Sequence, residues 1–402
     1  MWRVLMGIGM VLHRIAPPSP PRPNFKRKIS TTIAPQEGHI ILNFYVPPDY
    51  ESRRRMHGRR YPVVVNFHGG GFTLGTAKDD ARWCKVVVDQ VHAVVVSVDY
   101  RLAPEHPFPT AVEDGCDAIL YLALHADEFH LDVDRIAVSG FSSGGNMAFT
   151  VPLRLQEEVL QVEMGEVSVD CGEGSSSSNS SDNNVARSKS PKPPKSPTSP
   201  VRAPTMSTDA ILKKAMTKGD ALVSVQQQIK LRALVSWYPS TDYTHTREQR
   251  RATCKQQDHQ LPAIFTNLFD ESYLQPPTLD MSNPYLSPGV APDYMLAGLP
   301  DDIILFTCEW DMLLAEGERL RDRLIGPGLN KNVRYQMVPN AAHGWDKAPN
   351  PIRQPPDVMG FYLQACEELK RVFGVRDDDA SLRRESIVAF AAARRSVCEG
   401  MV

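Results

Sequence analysis

The sequence predicts an α/β fold: a mostly parallel central sheet flanked by helices, interrupted by a disordered insertion. Three observations point there. Short β-branched apolar runs alternate with stretches of helical periodicity from residue 63 onward. Most of the runs are apolar throughout and bounded by Gly, Pro, Asp or Asn, as strands buried on both faces are. One internal stretch has a composition that cannot be buried at all.

The chain begins W-R-V-L-M-G-I-G-M-V-L-H-R-I over 2–15, too short to span a bilayer. It leads into P-P-S-P-P-R-P with no small-x-small cleavage site, so a helix packed on the protein is favoured over a signal or membrane anchor. Strands are expected at Val63–Asn66, Ala93–Val98, Ile136–Ser139, Ala233–Trp237, Ile303–Thr307 and Val333–Val338. Helices are expected at Ala111–Leu124, Asn146–Leu155, Leu314–Leu324 and Met359–Val372, the second kinked or shortened by Pro152. Residues 158–228 read as a disordered Ser/Pro-rich insertion within one domain. Loop closure over such a length costs little. Its Ser-Pro steps beside Lys189, Lys192 and Lys195 suit either phosphorylation or a passive linker. The core is therefore expected in two pieces, 46–157 and 229–375, followed by a C-terminal tail over 376–402 without assigned chemistry.

A length of 402 residues allows one large domain with accessories, and 42% apolar with 23% charged residues is ordinary for a soluble protein. A net charge of -2 gives no electrostatic reason for a nucleic-acid partner. Seven cysteines without CxxC or zinc-like spacing imply free thiols in a reducing, cytoplasmic setting rather than a disulfide framework. No paired histidines at ligand spacing and no dinucleotide fingerprint appear, so no metal and no organic cofactor are expected. Nothing in the sequence indicates oligomeric state.

The chemistry concentrates in four places. Gly140-Phe141-Ser142-Ser143-Gly144 lies between a strand and a helix, the context of a nucleophile elbow. A G-x-S-x-G pattern alone arises by chance in on the order of one chain in ten; the flanking elements give it weight. His68-Gly69-Gly70-Gly71 follows the strand V-V-V-N-F, where glycines let backbone N–H groups approach a substrate oxygen. Asp311 and His343 follow the two last strands, so Ser, acid and His come in the chain order of this elbow chemistry. His343 would take the Ser142 proton, and Asp311 would orient the imidazole. Glu309 and Glu316 compete for the acid position, and His106 reads as a structural loop residue.

Taken together, H-G-G-G-F (68–72), D-Y-R-L-A-P-E-H-P-F-P (99–109), G-x-S-x-G-G-N (140–146), D-x-L-x-x-E (311–316) and H-G-W (343–345) resemble the hormone-sensitive lipase family of the α/β-hydrolase fold, which includes carboxylesterases and arylacetamide deacetylase. The resemblance covers about 60–370 outside the insertion. It implies an oxyanion hole from the N–H groups of Gly70, Gly71 and Ser143, supported by His68, Gly69, Gly140 and Gly144. It also implies a helical cap from about 1–45 and from the segment after Tyr238, about 240–285, lining the substrate pocket. The expected activity is hydrolysis of small or medium hydrophobic carboxylic esters through an acyl-enzyme. Relatives usually carry Asp before the serine and Ala after it, whereas this chain has Phe141 and Ser143. A catalytically silent binding protein on the same scaffold is the rival reading, as in gibberellin receptors that have lost the histidine. The presence of Ser142, Asp311 and His343 together argues against it. A third reading makes the insertion an interaction platform.

Overall fold

The computed structural model describes residues 19–56, 58–169, 229–347 and 357–375, by backbone alone over 158–169. Eight strands form one sheet: β1 (Phe25–Ser30), β2 (His39–Tyr45), β3 (Tyr61–Phe67), β4 (Val94–Asp99), β5 (Leu131–Phe141), β6 (Leu231–Trp237), β7 (Asp302–Trp310) and β8 (Asn332–Ala342). Their order is β1-β2-β4-β3-β5-β6-β7-β8. The β1–β2 and β2–β4 pairs are antiparallel, and the other five pairs are parallel. This is the α/β-hydrolase fold that the motifs imply.

Helices cover both faces. Among the longer ones are α2 (Ala81–Val91), α3 (Thr110–Leu124), α4 (Ser143–Val169), α8 (Leu314–Ile325) and α9 (Val358–Phe373). The others are α1 (Tyr50–Arg55), α5 (Arg247–Ala252), α6 (Ala263–Tyr273) and α7 (Asp293–Ala297). The period of two along β3 sends Val63, Val65 and Phe67 into the core shared with α3 and α4. Val64 goes to the opposite face, with residues of α2 and α9. Burial on both faces is why β3 reads as an unbroken apolar run.

Three expectations change. The N-terminal cap (1–45) does not hold for its described part, because 25–45 forms the β1–β2 hairpin at the sheet edge. The cause is the edge position: β1 buries mainly Ile29 and leaves Lys26, Arg27 and Lys28 in solvent, so it lacks an apolar strand signature. Pro152 does not shorten its helix, since α4 runs on to Val169, past the start expected for the insertion. The sequence reading also passed over α2, although its apolar positions are all buried. Residues 1–18, 170–228 and 376–402, with the expectations for N-terminal helix, insertion and tail, lie outside the described residues. Among the described residues, Cys84, Cys116, Cys254, Cys308 and Cys366 are free and buried. No described helix is long and apolar enough to cross a membrane.

The loop after β4 is fastened by one buried ion pair. Arg101 donates through Nη2 to Asp114 Oδ1 of α3 (2.7 Å), and its backbone N–H reaches Oδ2 (2.8 Å). A third donation, from Nη1 to the Gln36 carbonyl at 2.8 Å, ties in the β1–β2 connection. The same loop supports the glycine run, because the Ala103 N–H donates to the Phe72 carbonyl at 2.9 Å. The Asp114 side chain is 0% exposed, so removing its partner strands a charge. Arg101→Met should destabilise the fold by about 3–5 kcal/mol in urea unfolding, and adding Asp114→Leu should restore most of that loss.

Candidate active site

The site forms where the chain direction across the sheet reverses. β3 and β5 are neighbours, and the loops leaving their carboxyl ends carry the glycine run and Ser142. The turn into α4 leaves no room for side chains. A Cβ on Gly140 would lie 2.0 Å from the Gly144 carbonyl oxygen, and one on Gly144 would lie 1.9 Å from that of Phe67. Ser142 itself holds φ at 54°, a left-handed conformation unfavourable for a residue with a Cβ. Two hydrogen bonds fix it there: Ser142 N–H donates to the Trp237 carbonyl (2.8 Å), and Asn146 N–H donates to the Ser142 carbonyl (2.9 Å).

Ser142 Oγ lies 2.8 Å from His343 Nε2, and His343 Nδ1 lies 2.6 Å from Asp311 Oδ2. The second Asp311 oxygen accepts from the Leu313 N–H at 3.1 Å, and the side chain is 2% exposed. Of the three acids in that region, Asp311 is the one against the histidine. Glu309 accepts from the Asn340 N–H (2.9 Å) and pairs with Lys255 at 3.5 Å. Glu316 is buried and accepts from the Thr241 N–H at 2.6 Å. The His343 ring packs edge-on against Tyr238 with centroids 5.0 Å apart.

The glycine loop abuts the elbow: a Cβ on Gly69 would meet the Phe141 carbonyl oxygen at 3.0 Å and Ser142 Cβ at 3.4 Å. Gly70 and Gly71 take φ of 125° and 61°, so a left-handed backbone presents this turn. Among the described residues, no protein acceptor is paired with the N–H groups of Gly70, Gly71 or Ser143. Ser143 also opens α4, where the helix dipole favours negative charge. His68 is buried below the loop; its Nδ1 lies 2.8 Å from the Gly69 carbonyl and its ring stacks on Tyr100 at 4.2 Å. His106 lies apart, with Nδ1 3.3 Å from Gln36 Oε1.

Residues 240–285 cross above this ground. The Phe269 ring sits over Gly71, where a Cβ would meet it at 2.4 Å, and Tyr273 stacks on Phe72 at 3.8 Å. Asn146 fastens the segment at both ends: its Nδ2 donates to the carbonyls of Ser240 (2.7 Å) and Leu286 (2.8 Å). That role of Asn146, and those of Tyr238 and Phe269, went unread in the sequence. Their partners are remote in the chain, and only the terminal N of G-x-S-x-G-G-N marked one of them. Among the described residues, no cluster of three His, Cys, Asp or Glu could hold a metal ion.

Comparisons with known proteins agree with this architecture. A family model described as "alpha/beta hydrolase fold" matches residues 64–190 and 215–347. Esterase LipI of Mycobacterium tuberculosis is 37% identical over 153 residues, covering 38% of this chain and 46% of that protein. Hormone-sensitive lipase of Ictidomys tridecemlineatus is 37% identical over 134 residues, covering 33% of this chain and 17% of the other. The chain thus spans under half the length of these curated relatives. A thermostable esterase from Pseudomonas putida superposes with a TM-score of 0.63 at 23% identity, covering 93% of this chain and 90% of that one, a likeness of fold.

The buried Glu316 couples the site's frame to pH. Burial pushes its carboxyl up to about 7 from an ordinary 4.5, against the opposing effects of Arg250 and the Thr241 N–H. Among the described residues its Oε2 has no hydrogen-bond partner, and Arg250 Nη1 stands 3.9 Å away. Because the folded state holds this proton more tightly than the unfolded chain, the stability it contributes is full below about pH 4.5 and is lost as pH rises through about 7. Relative to Glu316→Gln, the parent should lose on the order of 2–3 kcal/mol between pH 5 and pH 8, read from urea midpoints.

Proposed function

This chain belongs to the family with the α/β-hydrolase fold, and from that premise we propose that it is a serine carboxylesterase of hormone-sensitive-lipase type acting on small or medium hydrophobic esters. One observation carries the proposal. A strained serine, an imidazole and a buried carboxylate stand in line at 2.8 and 2.6 Å, beside unpaired backbone donors.

The chemistry follows from those atoms. Ser142 Oγ attacks the ester carbonyl carbon while His343 Nε2 takes its proton. The carbonyl π electrons move onto oxygen, and in this reading the N–H groups of Gly70, Gly71 and Ser143 take up that charge. Asp311 accepts from Nδ1, which holds the other ring nitrogen free as the base and stabilises the imidazolium. The tetrahedral adduct collapses, the C–O bond to the alcohol breaks, and His343 hands its proton to the departing oxygen. Water then attacks the acyl-enzyme with His343 again as base, releasing the acid and Ser142. The apolar rings of Phe269, Phe72 and Tyr273 near Gly71 favour a hydrophobic substrate. This scheme uses no metal or cofactor, and the partner it calls for is the small ester itself.

A fluorophosphonate probe tests the nucleophile. The parent should label and Ser142→Ala should not. A folded parent that refuses the probe would sink the esterase reading in favour of a silent binding protein, and labelling that survives the substitution would exclude Ser142. For the acid, Asp311→Asn should lower kcat on p-nitrophenyl acetate by about 10⁴-fold, because Nδ1 then loses its charged acceptor. Glu309→Gln should stay within about twofold, since that carboxylate faces Lys255 rather than the imidazole.

A further inference from the structure

The histidine has far to come. Ser142 follows β5, whereas His343 follows β8, and β6 and β7 lie between them. Three strand spacings are about 14 Å, a gap the chain after β8 closes on its way back toward β5. It does so in the tight turn His343-Gly344-Trp345-Asp346-Lys347. Gly344 takes φ of 71°, and the Lys347 N–H donates to the Gly344 carbonyl at 2.9 Å. The turn ends with the Lys347 ammonium 3.5 Å from the centroid of the Phe141 ring. Phe141 is the residue immediately before the nucleophile, so one contact joins the elbow to the turn that carries the base.

We propose that Lys347, seated on the ring of Phe141, is a positioning residue that fixes His343 against Ser142. The inference rests on the esterase reading above and extends it to a residue pair. Phe141 is a firm seat. It is fully buried, stacks on Trp237 at 5.5 Å, and Trp237 in turn stacks on Phe306 at 4.1 Å, one ring from each of β5, β6 and β7. The ammonium is a directed one, because two carboxylates hold it over the ring: Asp346 Oδ2 at 2.7 Å and Asp80 Oδ1 at 3.0 Å. Asp346 is itself held from above and below, accepting at 2.5 Å from Tyr238 Oη and at 2.5 Å from Tyr362 Oη. Asp80 is held through its other oxygen by Asn66 Nδ2 at 2.8 Å.

The charge states of Lys347 and Asp346 agree with this geometry, although burial pushes the Asp80 carboxyl up. Burial works against the Lys347 charge, but Asp346 and Asp80 outweigh it and hold the ammonium above the ordinary lysine range. Burial also opposes the Asp346 charge, yet Lys347 and the two tyrosines bring that carboxyl below its ordinary value. A cation kept in a desolvated place, facing an aromatic ring, makes a stronger contact than the same pair in water. Tyr238 belongs to both parts of the arrangement, since its ring packs on His343 while its hydroxyl holds Asp346.

The test is a double-mutant cycle read on kcat and KM per active site, with sites counted by fluorophosphonate titration. Phe141→Leu keeps an apolar side chain and removes the ring face; Lys347→Met keeps the stem and removes the charge. Each should lower kcat on p-nitrophenyl acetate about tenfold with KM within about twofold, the sign of a misplaced base rather than of lost binding. The double variant should be no slower than the slower single variant. Phe141→Tyr and Lys347→Arg, which restore a ring face and a cation, should keep at least about half of the parental kcat. Parental kcat per titrated site in Phe141→Leu, or losses that multiply in the double variant, would overturn the proposal. Should Lys347→Met fail to fold, the Phe141→Leu and Phe141→Tyr pair decides alone. A parent that neither labels nor turns over ester removes the esterase reading itself, whereas a parent that labels beside variants of equal kcat removes the positioning role alone.

Discussion

The left-handed backbone of Ser142 is the constraint to which the surrounding structure answers. A side-chain-bearing residue held at φ 54° costs free energy that neighbouring contacts must offset. The offset is visible on every side. Gly140 and Gly144 are stripped of Cβ atoms so that strand, turn and helix can come together, β6 supplies a carbonyl to the serine N–H, and α4 begins at the next residue. The serine hydroxyl is thereby lifted off the end of the sheet, where side chains from other strands can reach it.

The parallel sheet supplies those side chains from unequal distances. The glycine turn comes from the adjacent strand and needs only backbone contact with the elbow, which is why its decisive residues lack side chains. Asp311 and His343 come from the ends of β7 and β8 and must be carried inward. Asp311 is steadied by the Leu313 N–H, whereas the histidine turn lies beyond a break in register near Trp310 and is held by rings and buried charges. Apolar burial sets the frame of the molecule, but the last few ångströms at the site are set by polar groups in places from which water is excluded.

How far all this was legible in the sequence depended on whether the determining contacts were local. The elbow and the glycine run were readable because sterics over five adjacent residues dictate them. The buried strands were readable because burial on both faces leaves a continuous apolar run. Asp311 was preferred to Glu309 and Glu316 on motif and chain order alone, because the choice turns on which way each side chain leaves the end of β7, and spacing does not determine that. The β1–β2 hairpin was missed for a different reason. Half of it is a charged edge strand, whose exposure erases the alternation that would announce it. Lys347 carried no signal at all, since the residues that give it meaning, Asp80 and Phe141, lie more than two hundred positions away.

The double donation by Asn146 has a consequence for how such a molecule can vary. One carboxamide on the nucleophile helix holds both the entry and the exit of the segment that crosses above the glycine turn. What lies between those two carbonyls is tethered at its ends, so changes of sequence within it are felt mainly inside the segment. On the proposed esterase reading, substrate preference can drift there like text between fixed margins, while the serine below keeps its geometry. A lineage built on this plan can alter what it recognises without rebuilding how it reacts.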